Sequence, residues 1–162
     1  MLSKYISFSI AITFISFIVG MAVNAILKKT KFYNNQLSKL NLIKSKILNK
    51  CLGVDIVRWA VKNTPFKYFN QKLKLRNKIE LADLHVLRAE MTSSEIDHLI
   101  GFVFVMIFVL MKFYKTEWLF GLTILIVNIL MNLSPSLLQQ QNKRRIDKLI
   151  KTDTVIFDKT GT

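Results

Sequence analysis

Asp158 is the residue best placed to do chemistry. It closes a short apolar run, Val155-Ile156-Phe157, and Lys159, Thr160, Gly161 and Thr162 follow it. A strand that leaves a carboxylate at its C-terminal end, before a tight glycine turn, is how open α/β sheets present ligand sites. A carboxylate is also a competent phosphoryl acceptor, and an aspartyl phosphate splits hydrolysis into two easier steps. Such transfer needs alignment and charge neutralisation more than covalent help. The competing reading is a frayed, solvated tail, because a three-residue strand needs neighbours. A second set of candidates lies upstream. Asn128, Asn132 and Ser136 recur at four-residue steps in an apolar stretch, so they share one helix face. Pro135 beside them lacks a backbone donor, and its ring meets the carbonyl of Met131, so a kink with a freed carbonyl is expected. Polar groups inside a span read as an ion path. Hydrogen bonding between helices reads the same residues without transport.

These residues must be positioned by a largely apolar, strongly basic chain. Its 162 residues allow about one domain, half of them are apolar, and 24 Lys and Arg against 10 Asp and Glu give a net charge of +14. Apolar and basic residues are segregated, as in a small multi-pass membrane protein with basic cytoplasmic segments. That arrangement accounts for the charge, and no nucleic-acid motif accompanies it, so nucleic acid is not expected as a partner. Cys51 is the only cysteine, which excludes an intrachain disulfide and a Cys-based zinc site. His85 and His98 stand alone without metal-ligand spacing and read as surface or interfacial residues.

Four segments follow in order. Residues 1–30 hold a first transmembrane helix, since Tyr5 to Leu27 is uncharged and about 34 Å long as a helix. Lys28, Lys29 and Lys31 mark its cytoplasmic end. A cleaved signal peptide, with Lys4 as a weak n-region and Val23-Asn24-Ala25 as the cleavage site, is the alternative. Cleavage would leave the basic segment outside, against the charge rule. Residues 31–93 form a basic cytoplasmic segment. Leu37, Leu40, Ile43, Ile47, Cys51 and Val54 predict an amphipathic helix, lying on anionic lipid headgroups or packed on its neighbours. Gly53 and Pro65 interrupt that pattern, Phe66–Phe69 and Leu73–Arg76 alternate like short strands, and Glu80–Glu90 reads as helix. Residues 94–138 form a transmembrane hairpin. Thr92-Ser93-Ser94-Glu95 is its N-cap region, Lys112–Glu117 its turn, and Trp118 a boundary residue ahead of Leu119–Leu138. Residues 139–162 carry the basic stalk Lys143–Lys148 and the strand that ends at Asp158. The expected fold is mainly α, with about three transmembrane helices and the first strand of an incomplete α/β domain. Three spans place Asp158 on the cytoplasmic side.

Asp158-Lys159-Thr160-Gly161-Thr162 resembles the phosphorylation motif of the P-type ATPases. Ser94-Glu95-Ile96-Asp97-His98-Leu99-Ile100 before a hairpin is similar to the third helix of the sodium/potassium and proton/potassium pumps. The resemblance implies a phosphorylation domain beginning at residues 139–162 and ATP-driven cation transport through an aspartyl phosphate. It implies Asp158 as nucleophile and magnesium ligand, and the Thr160 carbonyl as a second ligand. Lys159 would neutralise the phosphate with Thr162 close by, and ATP and Mg2+ would be cofactors. The nucleotide-binding part would follow Thr162, so this chain is expected to be a fragment. The pumps' actuator Thr-Gly-Glu loop has no counterpart in 31–93, and Ser134-Pro135-Ser136-Leu137 stands where they carry an ion-binding Pro-Glu-Gly-Leu. The alternatives are therefore a lipid-transporting member, or a catalytically inactive pump-derived protein that binds anionic lipid or a full-length pump.

Overall fold

The computed structural model describes residues 1–64 and 81–159, with residues 153–159 by backbone alone. Its helices in chain order are α1 (Leu2–Leu27), α2 (Lys31–Asn35), α3 (Lys46–Cys51), α4 (Val54–Asn63), α5 (Leu81–Tyr114), α6 (Trp118–Asn128) and α7 (Ser134–Lys159). A 3-10 turn at Leu37–Lys39 follows α2, and a π-helical turn at Ile129–Leu133 joins α6 to α7. Among the described residues three rods are long and apolar enough to cross a membrane: α1, α5, and the continuous stretch Trp118–Thr152. They pack as one bundle, α1 against both α5 and α6 and α5 against α7.

The bundle is ordered by small and polar contacts on the inside. The buried side of α1 consists of Ser9, Thr13, Ser16, Gly20 and Asn24 with Ile12, while Phe14, Ile15, Ile18 and Ile26 point outward. Lipid-exposed bundles are built this way, because apolar side chains gain nothing by leaving lipid and small residues let backbones approach. The hydroxyls of Ser9 and Thr13 each donate to the carbonyl four residues back, at 2.7 Å. At Gly20 the approach to α5 is closest: a Cβ there would lie 2.2 Å from the Asp97 carbonyl oxygen. Tyr5 stacks on Phe120 at 4.2 Å, and Asn24 at the other end of α1 reaches Asp97, so α1 runs antiparallel to α5.

Several expectations change. The helix predicted over Glu80–Glu90 and the span predicted from Ser94 are one rod, of which the structure describes Leu81 onward. Its 34 residues reach about 51 Å, well beyond a hydrocarbon core of about 30 Å. Thr92 therefore caps nothing, and its hydroxyl donates to the Arg88 carbonyl at 3.0 Å. The surplus of α5 packs on α7 through Leu84, Met91 and Ile146 and through an Arg88–Asp147 ion pair at 2.5 Å.

The single amphipathic helix expected from Leu37 to Val54 is broken instead. Residues 40–45 are not helical, Ser45 caps α3 by accepting from the Leu48 amide, and Gly53 turns left-handed at φ +76°. A Cβ at Gly53 would also meet Leu130 at 2.8 Å. The expected strand ending at Asp158 is not formed. Val155, Ile156 and Phe157 continue α7, and there is no strand among the described residues. The physical reason is that an isolated strand leaves its backbone groups unpaired, whereas continuing the helix satisfies them. Pro65, Phe66–Phe69 and Leu73–Arg76 lie outside the described residues. Just before Pro135, where a kink is expected, the helix makes a π-helical turn at Ile129–Leu133. The carbonyl of Ile129 accepts from both the amide and the hydroxyl of Ser134, the latter at 2.8 Å.

Candidate functional site

The polar face foreseen at Asn128, Asn132 and Ser136 exists and continues. All three are fully buried, and Gln140 and Lys143 extend the stripe to the basic end of α7. Asn128 donates to the Phe102 carbonyl at 3.1 Å, tying α6 to α5. Asn132 donates to Ser16 Oγ of α1 at 3.0 Å and to Asn128 Oδ1 at 2.9 Å. Gly101 of α5 makes room for this meeting, since a Cβ there would fall 2.9 Å from Asn132 Oδ1 and 3.1 Å from Ser16 Oγ.

One turn higher, Glu95 of α5 is fully buried and takes Lys143 Nζ at 2.5 Å and Gln140 Nε2 at 2.8 Å. Lys143, 3% exposed, also donates to the carbonyl of Leu40 at 3.0 Å and, at 3.4 Å, to that of Ser38. The Leu42 amide donates to Gln140 Oε1 at 3.0 Å. The irregular segment after the 3-10 turn is thus held against α7 by its own backbone. A buried pair whose two carboxylate oxygens and ammonium are all hydrogen-bonded tolerates desolvation better than a lone charge there would. Asn24 of α1 completes the level, donating to Asp97 at 2.6 Å and the Ser93 carbonyl at 3.1 Å.

His98 lies one turn deeper than Glu95 on the same face of α5, since they are three residues apart. Its ring meets Phe17 edge-on at 5.5 Å, and it stands against Asn132. Its Nδ1 is buried without a hydrogen-bond partner, as are Asn132 Oδ1 and Ser136 Oγ. Buried polar atoms are nearly always paired, so these three leave unused hydrogen-bonding capacity inside the bundle. Among the described residues no three of His, Cys, Asp and Glu come together as metal ligands.

Beside this level, α3, α4 and α7 enclose a basic basin of about 510 Å³. Arg58 pairs with Asp55 at 2.6 Å and donates to Gln141, and Arg144 donates to Asn41 at 2.6 Å.

Asp158 and Lys159 lie in the last turn of α7, and Thr160 and Thr162 lie outside the described residues. Pro135 is half-buried in the first turn of α7, beside Ser136 in sequence. Sequence reasoning missed Glu95, His98, Gln140 and Lys143. The four-residue ladder already pointed to Gln140, and the Glu95-x-x-His98 spacing placed two ionisable groups on one face.

A family model described as glycosyl-4,4'-diaponeurosporenoate acyltransferase matches residues 29–152. No curated protein and no solved structure matches the chain. The family match overturns the resemblance to P-type ATPases, and with it ATP-driven cation transport, ATP binding and translocation. The match includes Glu95, His98 and the whole polar stripe but stops short of Asp158, so the pump motif rested on five residues outside it. The phosphoryl role of Asp158, the ligand roles of Lys159, Thr160 and Thr162, and the need for ATP and Mg2+ came from that resemblance and lose its support.

Proposed function

The chain belongs to the glycosyl-4,4'-diaponeurosporenoate acyltransferase family, and from that membership we propose that it is a membrane-embedded enzyme that esterifies a sugar hydroxyl on a long apolar carotenoid carboxylate. The observation that carries this reading is the match over residues 29–152, which contains Glu95, His98 and the stripe from Asn128 to Lys143. The acceptor's chemistry suits the bundle. An apolar chain is soluble among the outward Ile, Phe and Val side chains, and a sugar needs polar groups at the membrane boundary.

His98 lies about 24 Å from the hairpin turn at Tyr114, counted along the helix, near one edge of a 30 Å core. There it is assigned the role of general base. Its unpaired Nδ1 takes the proton of a sugar hydroxyl as the oxygen attacks the donor's carbonyl carbon. A carbon–oxygen ester bond forms, the bond from that carbon to the leaving group breaks, and the imidazolium returns the proton to the leaving group. Ser136 Oγ, buried and unpaired on the facing stripe, is the hydroxyl available to donate to the developing oxyanion. The Glu95–Lys143 pair positions α5 and α7 and does not touch the reacting atoms.

The basic end belongs on the cytoplasmic side by the charge rule, since Lys28, Lys29 and Lys31 end α1 and Lys143–Lys151 crown α7. Exposed Ile47, Ile56 and Trp59 beside the lysines of α3 and α4 then suit the headgroup boundary. The test is acyl transfer to a glycosylated carotenoid acid by the purified chain in lipid nanodiscs, read by mass spectrometry. His98→Ala is expected to lower the rate at least a hundredfold with the helical spectrum unchanged. An unaltered rate in that variant would remove His98 from the mechanism.

A further inference from the structure

The basin between α3, α4 and α7 holds far more positive charge than the fold uses. Lys44, Lys46, Lys50, Arg145 and Lys148 line it, and none has a carboxylate partner among the described residues. Asp55, the only acid lining it among the described residues, is taken by Arg58. A concave wall with one sign of charge focuses the field and draws an ion of the opposite sign. A second, independent observation points to a ligand. Asn49 lines the same basin and is 4% exposed, and its Oδ1 is buried with no hydrogen-bond partner. Its amide cannot be turned round, because Nδ2 already donates to the carbonyls of Ser45 at 2.8 Å and Ile43 at 3.3 Å. Several cations thus line the basin, and one fixed acceptor lies within its wall. A bare sulfate, which has no O–H to donate, satisfies the cations and leaves the acceptor empty. A phosphorylated nucleotide satisfies both, since its ribose hydroxyls and base amine are donors.

The position adds the rest. Gln141 and Arg144 line the basin, and Gln140 and Lys143, the residues just before them on α7, reach Glu95. One helix thus presents the basin on one side and the buried cluster on the other. Resting on the acyl-transfer reading above, we propose that the basin binds the phosphorylated nucleotide portion of a thioester acyl donor, with the acyl chain directed to the bundle at His98. In the transfer the thioester carbon–sulfur bond breaks as the ester forms, and the sulfur takes the proton from His98.

The experiment titrates coenzyme A into the full chain in phosphatidylcholine nanodiscs by calorimetry. Saturable binding is expected, weakened at least tenfold by Arg145→Gln with Lys148→Gln, both at exposed positions. Asn49→Leu is expected to weaken coenzyme A while leaving inorganic pyrophosphate unaffected. Absence of coenzyme A binding, or binding unchanged in the double variant, overturns the proposal. So does equal binding of coenzyme A and pyrophosphate with both displaced by phosphatidylglycerol in the disc, which assigns the basin to lipid headgroups. Stronger binding of an acidic acyl carrier protein than of coenzyme A would overturn it as well. Failure of the two readings is distinguishable. Transfer from a phospholipid without coenzyme A binding leaves the acyltransferase standing and removes the nucleotide site. Coenzyme A binding without acyl transfer from either a thioester or a phospholipid does the reverse.

Discussion

At the scale of single residues, the Glu95–Lys143 pair carries the largest local stake. Removing one partner strands a charge in a site with no access to water, and such losses cost about 3–5 kcal/mol. Lys143→Met is therefore expected to lower the unfolding free energy in detergent by roughly that amount. The double variant with Glu95→Leu should recover most of it, because two apolar groups leave no charge to desolvate. A double variant no better than Lys143→Met would show that the backbone contacts to Ser38 and Leu40, and not the pair, hold the level together. Tyr33 gives a pH-dependent counterpart. Burial, then the charges of Asp97 and Glu95, push its phenol above the ordinary value of 10.0. The fold thus favours the neutral phenol. Its contribution to stability is complete below about pH 10 and is lost as pH rises from there to the folded-state value. Denaturation measured across that alkaline range should be less pH-dependent in Tyr33→Phe than in the native chain.

At the scale of elements, the contact of α1 with α5 depends on the absence of a side chain at Gly20. Because the neighbour is the Asp97 backbone, nothing flexible can give way. Gly20→Ala should push the helices apart and destabilise the bundle by about 1–3 kcal/mol, read as a lowered midpoint of thermal unfolding in nanodiscs. An unchanged midpoint would mean that α1 slides to a new register at no cost. The rods themselves were legible in the sequence, since uncharged stretches such as Tyr5–Leu27 have few other uses. The ends were not. Residues 40–45 carry an amphipathic pattern that favours helix locally, yet Gln140, Lys143 and Arg144 claim their backbone and side-chain groups from about a hundred residues away. The strand expected at Val155–Phe157 failed for the converse reason: β-branched and aromatic composition sets a preference, and the helix already under way sets the outcome. His98 was visible as a residue and not as a site. Its neighbours Phe17 and Asn132 come from helices remote in sequence.

At the scale of the whole molecule, one natural probe reports the orientation of the bundle. Cys51 is exposed at the end of α3, and the sequence holds no other cysteine. With the basic end inside, an impermeant maleimide should leave intact cells unlabelled and react after the membrane is permeabilised. Labelling of intact cells would turn the bundle over and put the nucleotide basin on the wrong side for a cytosolic thioester. The placement of that basin relative to His98 depends in turn on the π-helical turn at Ile129–Leu133. Residues four apart on an α-helix advance by about 40° beyond a full circuit, so three such steps from Asn128 to Gln140 would wind the stripe by roughly 120°. A turn with more residues per circuit cancels part of that advance. The turn acts as a phase corrector, keeping the membrane half and the stalk half of one rod facing the same partners. Deleting a single residue from it would rotate everything beyond by about 100°, carrying Lys143 away from Glu95 and the basin out of line with the bundle without altering any residue of either.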